Sequence, residues 1–184
     1  MRSVSKVFIQ GDRSAKGLNE IAIAIAKELA ARTIELNLGA YGKLAEIFAQ
    51  HCWKARCFGH RPGDRGYCPP SLEYVDCYLL ALPTVEIWAR NRIIDAAAWG
   101  YRLGRVIGDS DACLIFRGHK GTAAHLFAAL GLCAKKNKRV ALVGWPQKQQ
   151  QAIRLLFGDD EEFDRIARFF DGHDAKAVVD WLTS

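Results

Sequence analysis

The chain has 184 residues, of which half are hydrophobic and a quarter are charged. This balance is typical of one globular domain and excludes a disordered or fibrous protein. Charged residues interrupt every apolar stretch before it reaches the roughly 18 residues of a membrane-spanning helix. The chain begins with a strand-like run rather than an apolar signal core, so we expect a cytoplasmic protein.

Positive charge is concentrated in the first part of the chain. The net charge is +6, yet the last segment, Asp159–Ser184, holds eight acidic and three basic side chains. Residues 1–158 therefore hold 12 acidic and 23 basic side chains, an excess of +11. A basic body of this kind favours phosphate-bearing partners, either nucleotides or nucleic acid. The alternative is a surface that is basic only for solubility.

The six cysteines fit neither a disulfide scaffold nor a zinc site. Cys113 and Cys133 lie in apolar runs, which predicts buried thiols. The other four follow the spacing C-x4-C-x10-C-x8-C and are Cys52, Cys57, Cys68 and Cys77. Zinc sites are usually built from closely spaced pairs such as C-x2-C, and this spacing contains none. We therefore expect no metal site, and the sequence indicates no cofactor.

Strand-like and helix-like segments alternate along the whole chain. The predicted strands are 6–11, 33–38, 55–59, 111–116 and 139–145, with either a strand or one helical turn within 74–82. The predicted helices are 19–32, 43–52, 85–108, 123–135, 147–157, 161–170 and 175–182. Asn19 and Asp174 are the candidate caps of the first and last helices. The alternation predicts an α/β fold, doubly wound, with a mostly parallel sheet and helices on both faces.

Three loops that contain glycine follow predicted strands, and ligands bind at the carboxyl ends of strands in such sheets. They are Gly11-Asp12-Arg13-Ser14, Gly39-Ala40-Tyr41-Gly42 and Arg117-Gly118-His119-Lys120-Gly121-Thr122. In the third loop the glycines let backbone N–H groups approach an anion, and the following helix directs its positive end at the same point. Arg117 and Lys120 add positive charge, so the loop predicts a phosphate site. A plain strand-to-helix turn is the alternative, and neither the Walker A nor the G-x-G-x-x-G pattern is present.

These loops occur together with further motifs in a characteristic order. Arg102, Ser110-Asp111-Ala112 and Gly118–Thr122 resemble the R…SDA…PGGxGTxxE core of the lonely-guy type proteins. Val7–Ser14 and Leu38–Gly42 resemble the two glycine turns of the same superfamily, called SLOG, which also contains the DprA proteins. The resemblance covers residues 6–145. It implies a single Rossmann-like domain over residues 1–184, with 146–184 as a helical extension, a nucleotide-derived ligand and a homodimer or larger assembly.

The hydrolases of this superfamily cleave the N-glycosidic bond of a nucleoside monophosphate with an arginine and the glutamate of the motif. The resemblance implies the arginine's role for Arg102, but His125 stands where the glutamate is expected. Arg117 and His119 also replace the proline and the second glycine of the motif. An imidazole can act as a base, yet it supplies no negative charge. Glu86 is the candidate replacement carboxylate.

The sequence therefore predicts a protein that binds a small nucleotide or nucleotide-derived phosphate ligand, in order to sense or process it. One alternative is an N-glycosidic hydrolase acting on nucleoside monophosphates. Another is a DprA-like module that binds single-stranded nucleic acid. We expect hydrolysis to be weak or absent, because a preorganised negative group is needed opposite the positive charge that develops on the sugar.

Overall fold

The computed structural model describes residues 4–11, 17–39, 43–52, 54–58, 75–78, 104, 106–118 and 120–184. Within these ranges seven strands form one sheet: β1 (Lys6–Gln10), β2 (Glu35–Gly39), β3 (Lys54–Phe58), β4 (Val75–Tyr78), β5 (Ala112–Phe116), β6 (Val140–Val143) and β7 (Ala167–Phe170). Their order across the sheet is β4-β3-β2-β1-β5-β6-β7, and every neighbouring pair is parallel. The predicted α/β class with a parallel sheet is confirmed.

Helices cover both faces of this sheet. They are α1 (Asn19–Ala31), α2 (Lys43–His51), α3 (Lys120–Lys136), α4 (Gln147–Phe157), α5 (Asp160–Ile166) and α6 (Ala175–Thr183). Val7 and Ile9 of β1 belong to the core under α1, α2 and α6, whereas Phe8 belongs to the core under α3 and α5. Both faces of the central strands are therefore buried, which explains why these strands are apolar at successive positions. No helix in the described part of the chain is long and apolar enough to cross a membrane.

The two predicted helix caps have different outcomes. Asp174 caps α6 as expected, since its Oδ1 accepts a hydrogen bond of 2.8 Å from the Ala177 N–H. Asn19 does not cap α1: it is the first helical residue, and Leu18 occupies the cap position without a side-chain hydrogen bond. The reason is local, because Gly17 has a φ of +71° and completes the turn one residue earlier than the sequence suggests.

The prediction of a helix over 161–170 is wrong in its second half. Helix α5 ends at Ile166, and Ala167–Phe170 form the edge strand β7, paired with β6. Phe169 packs into one core and Phe170 into the other, which is the alternation of a strand. The C-terminal segment is therefore not purely helical, since it adds a strand to the sheet.

Two further predictions concern the middle of the chain. The sequence predicted either a strand or one helical turn within 74–82, and the structure shows a strand there, β4 (Val75–Tyr78). Gly104 and residues 106–108 are helical, while the remainder of the predicted helix 85–108 lies outside the described residues.

Among the clustered cysteines, Cys57 of β3 is the register partner of Cys77 of β4, and Cys68 lies outside the described residues.

The two cysteines predicted as buried thiols are confirmed. Cys113 of β5 and Cys133 of α3 are both fully buried and unbridged, and their Sγ atoms lie 3.7 Å apart. The hydrogen bond with Cys133, together with burial, raises the pKa of the Cys113 thiol well above its usual value. A buried and protonated thiol is poorly reactive, so Cys113 contributes packing between α3 and the sheet.

Candidate functional site

The order of the strands reverses at β1. The chain builds β2, β3 and β4 on one side of β1 and then returns to place β5 on the other side. Gln10 at the end of β1 is the register partner of Ile115 in β5, so the two strands end side by side. In open α/β sheets, the crevice outside such a reversal point is where ligands bind. The loops that begin at Gly11 and Gly118 both leave the sheet here.

Gly11 lies in close contact with the end of β5. A Cβ atom added at Gly11 would lie 2.8 Å from the Cβ of Phe116 and 2.4 Å from Cδ2 of Leu44 in α2. No residue with a side chain fits this position unless a neighbour moves. The backbone at the end of β1 therefore lies directly against the end of β5.

Gly118 has an even closer neighbour in the first turn of α3. A Cβ atom added at Gly118 would lie 2.1 Å from Oγ1 of Thr122, whose side chain is only 5% exposed. The sequence suggested a loop through Thr122, but α3 already begins at Lys120. Lys120, Gly121 and Thr122 thus form the first turn of α3, and the backbone of Gly118 is folded tightly onto that turn.

The start of α1 faces the same edge of the sheet. Leu18 at its cap offers no side-chain acceptor to the first N–H groups of the helix. The exposed side chain of Arg117 reaches this point, since its Nη2 lies 3.5 Å from where a Cβ atom on Gly17 would be. The Arg117 N–H donates to the Val143 carbonyl at 2.9 Å, which fixes its backbone beside β6. A guanidinium and a helix N-terminus, both positive, therefore meet at the end of β5.

His125 lies one turn further along α3 than Thr122. Its ring stacks on Phe8 of β1, with ring centroids 6.1 Å apart and the ring planes at 24°. Phe8 is buried and lies two residues before the end of its strand. The side chain at the position expected for a catalytic glutamate is thus an imidazole packed over the sheet.

The Ser110-Asp111-Ala112 motif lies at the other end of β5, where it stabilises the fold. Ser110 Oγ accepts a hydrogen bond of 2.7 Å from the buried amide of Asn37 and donates one of 3.0 Å to the Val106 carbonyl. Asp111 Oδ2 accepts from the backbone N–H groups of Ser5 and Lys6 at 3.0 Å. These contacts tie β2, β5 and the start of β1 together at the amino edge of the sheet.

Several predicted site residues remain predictions. Gly39 ends β2 and is the register partner of Phe58 in β3, one strand further from the reversal point. The following lie outside the described residues: Asp12, Arg13, Ser14, Gly42, Glu86, Arg102 and His119.

The sequence reasoning missed two glycines that support the site. Gly144 follows β6 with a φ of +73°, and a Cβ atom there would lie 2.7 Å from Cδ2 of Leu18. Gly172 follows β7 with a φ of +98° and packs near Ile21 of α1. The same sequence pattern marks them, because a glycine follows β6 and β7 within two residues, as it does after β1 and β5. Gly144 therefore allows the N-terminal turn of α1 to rest against the end of β6, whereas a Cβ atom at Gly172 would be in ordinary contact with α1.

Comparison with known proteins yields relatives by structure but not by sequence. No family model matches the chain, and no curated protein matches its sequence. The fold is similar to that of the molybdenum cofactor binding protein from the phototrophic bacterium Rippkaea orientalis, with a TM-score of 0.64 and 13% identity over 98% of this chain and 95% of the other.

Two other solved structures share this fold. The molybdenum cofactor carrier protein from Chlamydomonas reinhardtii has a TM-score of 0.58 and 14% identity, over 97% of this chain and 95% of the other. DNA processing protein A from Helicobacter pylori has a TM-score of 0.59 and 15% identity, over 97% and 80%. The latter is the DprA protein named in the resemblance, so the Rossmann-like fold that the SLOG resemblance implied is confirmed.

Proposed function

We propose that this protein binds a small nucleotide-derived ligand through its phosphate group at the carboxyl ends of β1 and β5. The observation that carries this proposal is the meeting of Arg117 with the start of α1, beside the first turn of α3. Helix N-termini and an arginine fork are both well suited to a phosphate. The close packing at Gly11 and Gly118 leaves backbone rather than side chains along this edge.

The three structural relatives are described with two classes of ligand. Two of the three are described as binding or carrying the molybdenum cofactor, whereas DNA processing protein A is described as binding single-stranded DNA. Their low identity transfers no ligand to this chain, so the choice between the two classes is a matter for experiment. Binding of single strands would fall steeply with salt concentration, because it depends on many phosphate contacts.

The site supports binding of the ligand without its efficient hydrolysis. His125 packs on Phe8, and an imidazole provides no negative charge for a sugar cation. Arg117 at the end of β5 favours an anion and disfavours a cation. We therefore propose a sensor or carrier of the ligand rather than a phosphoribohydrolase, with Arg102, Arg13 and Lys120 as further candidate phosphate contacts.

The test combines ligand identification with a charge variant. Mass spectrometry of small molecules released from the purified protein is expected to find a phosphate-bearing compound, and calorimetry with nucleoside monophosphates then measures affinity. Arg117→Glu is expected to weaken binding by about tenfold or more, since a hydrogen bond to a charged group contributes roughly 1.5–3 kcal/mol. The same samples, separated by chromatography, are expected to contain no released base.

Lys135→Glu is the matched control for that variant. It makes the same change of charge on an exposed side chain at the far end of α3. Equal loss of affinity in both variants would show that net charge, not the proposed site, holds the ligand. Tight and salt-dependent binding of an oligodeoxynucleotide, with no binding of mononucleotides, would replace this proposal with the nucleic-acid function.

A further inference from the structure

Helix α3 and strand β5 bring two thiols into contact in the core between them. The Sγ atoms of Cys113 and Cys133 lie 3.7 Å apart, and neither cysteine is bridged. Both side chains are fully buried in the core that β5 shares with α3. The proposed function uses neither thiol, so two adjacent nucleophilic groups stand beside the candidate site without an assigned chemistry.

The two sulfur atoms are placed so that a bond between them needs little rearrangement. A disulfide requires about 2.05 Å between its sulfur atoms, so Cys113 and Cys133 must bring theirs together by roughly 1.7 Å. Rotation of either side chain about χ1 moves its Sγ without moving the backbone. The two residues are 20 positions apart in the chain, so the bond would join α3 to the central part of the sheet.

We propose that Cys113 and Cys133 form a modification site, at which a small peroxide converts the two thiols into a reversible disulfide. This site is independent of the ligand that the candidate site binds. Neither cysteine belongs to the motifs that carry the superfamily resemblance.

The two thiols have different roles in this reaction. Cys133 lies in the last turn of α3, where a helix opens most easily, and the exposed Gly131 beside it weakens the helix further. The pKa of the Cys133 thiol is lowered by its hydrogen bond with Cys113 and by the nearby charge of Lys138. Cys133 is therefore the nucleophile that reacts with peroxide, and Cys113 on the central strand is the thiol that resolves the intermediate.

The atoms and electrons of the reaction balance with hydrogen peroxide as the oxidant. The Cys133 thiolate attacks one peroxide oxygen, so that an S–O bond forms, the O–O bond breaks, and the leaving hydroxide takes up the proton that the thiol released. The Cys113 sulfur then attacks the sulfenic acid sulfur of Cys133. The S–S bond forms, the S–O bond breaks, and hydroxide leaves with the Cys113 proton as water. Two thiols and one peroxide thus give one disulfide and two waters, and a dithiol reverses the oxidation by thiol–disulfide exchange.

Peptide mapping tests for the bond without any substitution. The reduced full chain is treated with hydrogen peroxide under native conditions, quenched, alkylated under denaturing conditions and digested with trypsin. Trypsin releases residues 106–117 and 121–135, each with one cysteine, and mass spectrometry is expected to find these two peptides linked. Dithiothreitol is expected to separate them. A folded chain in which these peptides stay unlinked, or are linked to other cysteine peptides instead, would overturn the proposal.

Cys52 provides the matched control for this pair. It is only half-buried, but burial raises the pKa of its thiol to about 11, and its Sγ donates to the Ala49 carbonyl at 3.6 Å. Cys52→Ala is expected to leave the linked peptides unchanged. Cys113→Ala removes the resolving thiol, so a sulfenic acid at Cys133 is expected to accumulate and to react with dimedone. Equally strong dimedone labelling of Cys113 in a Cys133→Ala variant would contradict the assigned roles.

The bond is expected to raise the thermal stability of the chain. It closes a loop between residues 20 positions apart, and such a cross-link stabilises a protein mainly by restricting the unfolded chain. The Tm of the peroxide-treated wild type is expected to exceed that of the reduced protein by about 5 °C or more. Cys113→Ala, treated in the same way, is expected to show no such increase. A linked chain whose Tm is unchanged or lower would reject the stabilising effect.

Discussion

Among the residues that the structure describes, two other than glycine have left-handed backbone conformations, Thr33 and Asn137, and this conformation costs them different amounts. Thr33 has a φ of +55° in the turn between α1 and β2, and Asn137 has a φ of +51° directly after α3. Asparagine adopts this region readily, whereas a β-branched residue rarely does. The Thr33 N–H donates to the Ala30 carbonyl at 2.9 Å, a backbone bond that closes the turn whatever the side chain, and the exposed Oγ1 donates to the adjacent Arg32 carbonyl at 2.7 Å.

Thr33→Gly is expected to raise the free energy of unfolding by about 0.5 kcal/mol. The left-handed conformation costs about 1–2 kcal/mol with a side chain, and glycine removes most of this but loses about 0.5–1 kcal/mol in chain entropy. Asn137→Gly, the matched control, is expected to change it by only a few tenths of a kcal/mol, because asparagine, like glycine, adopts the left-handed region after a helix at little cost. Urea unfolding measures both, and a Thr33→Gly variant less stable than the wild type would contradict this account.

At the scale of elements, the sequence predicted most of the helices and strands because each carries its own periodicity. Helix α4 occupies the predicted 147–157, and β5 differs by one residue. Strand β7 was missed because four residues after a helix carry too little pattern of their own. Its conformation depends on the open edge of β6, which only the assembled sheet provides.

The candidate site likewise has parts that the sequence predicted and parts that only the folded chain shows. The loops after β1 and β5 were predicted, since a glycine that follows a buried strand is visible in the sequence. The contact of Arg117 with the start of α1 was not, because it joins two loops through the folded sheet. The stacking of His125 on Phe8 depends likewise on how α3 packs against β1.

Helices α1 and α6 are joined by a small ionic network centred on Asp180. Its Oδ2 lies 2.6 Å from the Lys176 Nζ, and its Oδ1 lies 2.6 Å from the Arg32 Nη2. Hydrogen bonds from Lys176 and from Arg32 lower the pKa of the Asp180 carboxyl group. A carboxyl group with a lowered pKa stabilises the fold above its unfolded pKa, and this contribution is lost as the pH falls through the folded value.

Asp180→Asn is therefore expected to lower the Tm slightly at pH 7 and to have no effect in strong acid. The loss is small because the network is exposed to solvent, and it shrinks further at high salt. Thermal unfolding of both proteins across a pH series at low salt measures the difference, which is expected to shrink as the pH falls below the usual carboxyl pKa of about 3.9 and to disappear below the lowered pKa of Asp180. A difference that stays constant with pH would show that Asp180 acts through packing instead.

At the scale of the whole molecule, the C-terminal segment completes both the sheet and one of its cores. Strand β7 pairs with β6, while Val178, Val179 and Leu182 of α6 are buried in the same core as α1. Trp181 adds a hydrogen bond of 3.1 Å from its Nε1 to the Val140 carbonyl. Residues 159–184 thus pack on the same sheet and core as α1 despite their different charge.

A chain that ends at Gly158 is expected to lose cooperative folding. Removing one buried leucine costs about 2–5 kcal/mol, and a domain is stable by only about 5–15 kcal/mol in total. This truncation removes three such aliphatic side chains of α6 and uncovers α1. Thermal unfolding followed by circular dichroism is expected to show no sharp transition, whereas a chain lacking only Ser184 keeps it. A sharp transition in the shorter chain would show that residues 159–184 are dispensable.

The pairing of α1 with α6 has a consequence for biosynthesis. Arg32 bonds to Asp180 and Thr183, which follow it by 148 and 151 positions. At about 5–20 residues per second, a ribosome needs roughly 7–30 s to add the intervening chain. During that interval the apolar side of α1, with Ile25 and Leu29, lacks the helix that covers it in the finished protein. The nascent chain is therefore expected to expose this apolar side of α1 until α6 has been synthesised.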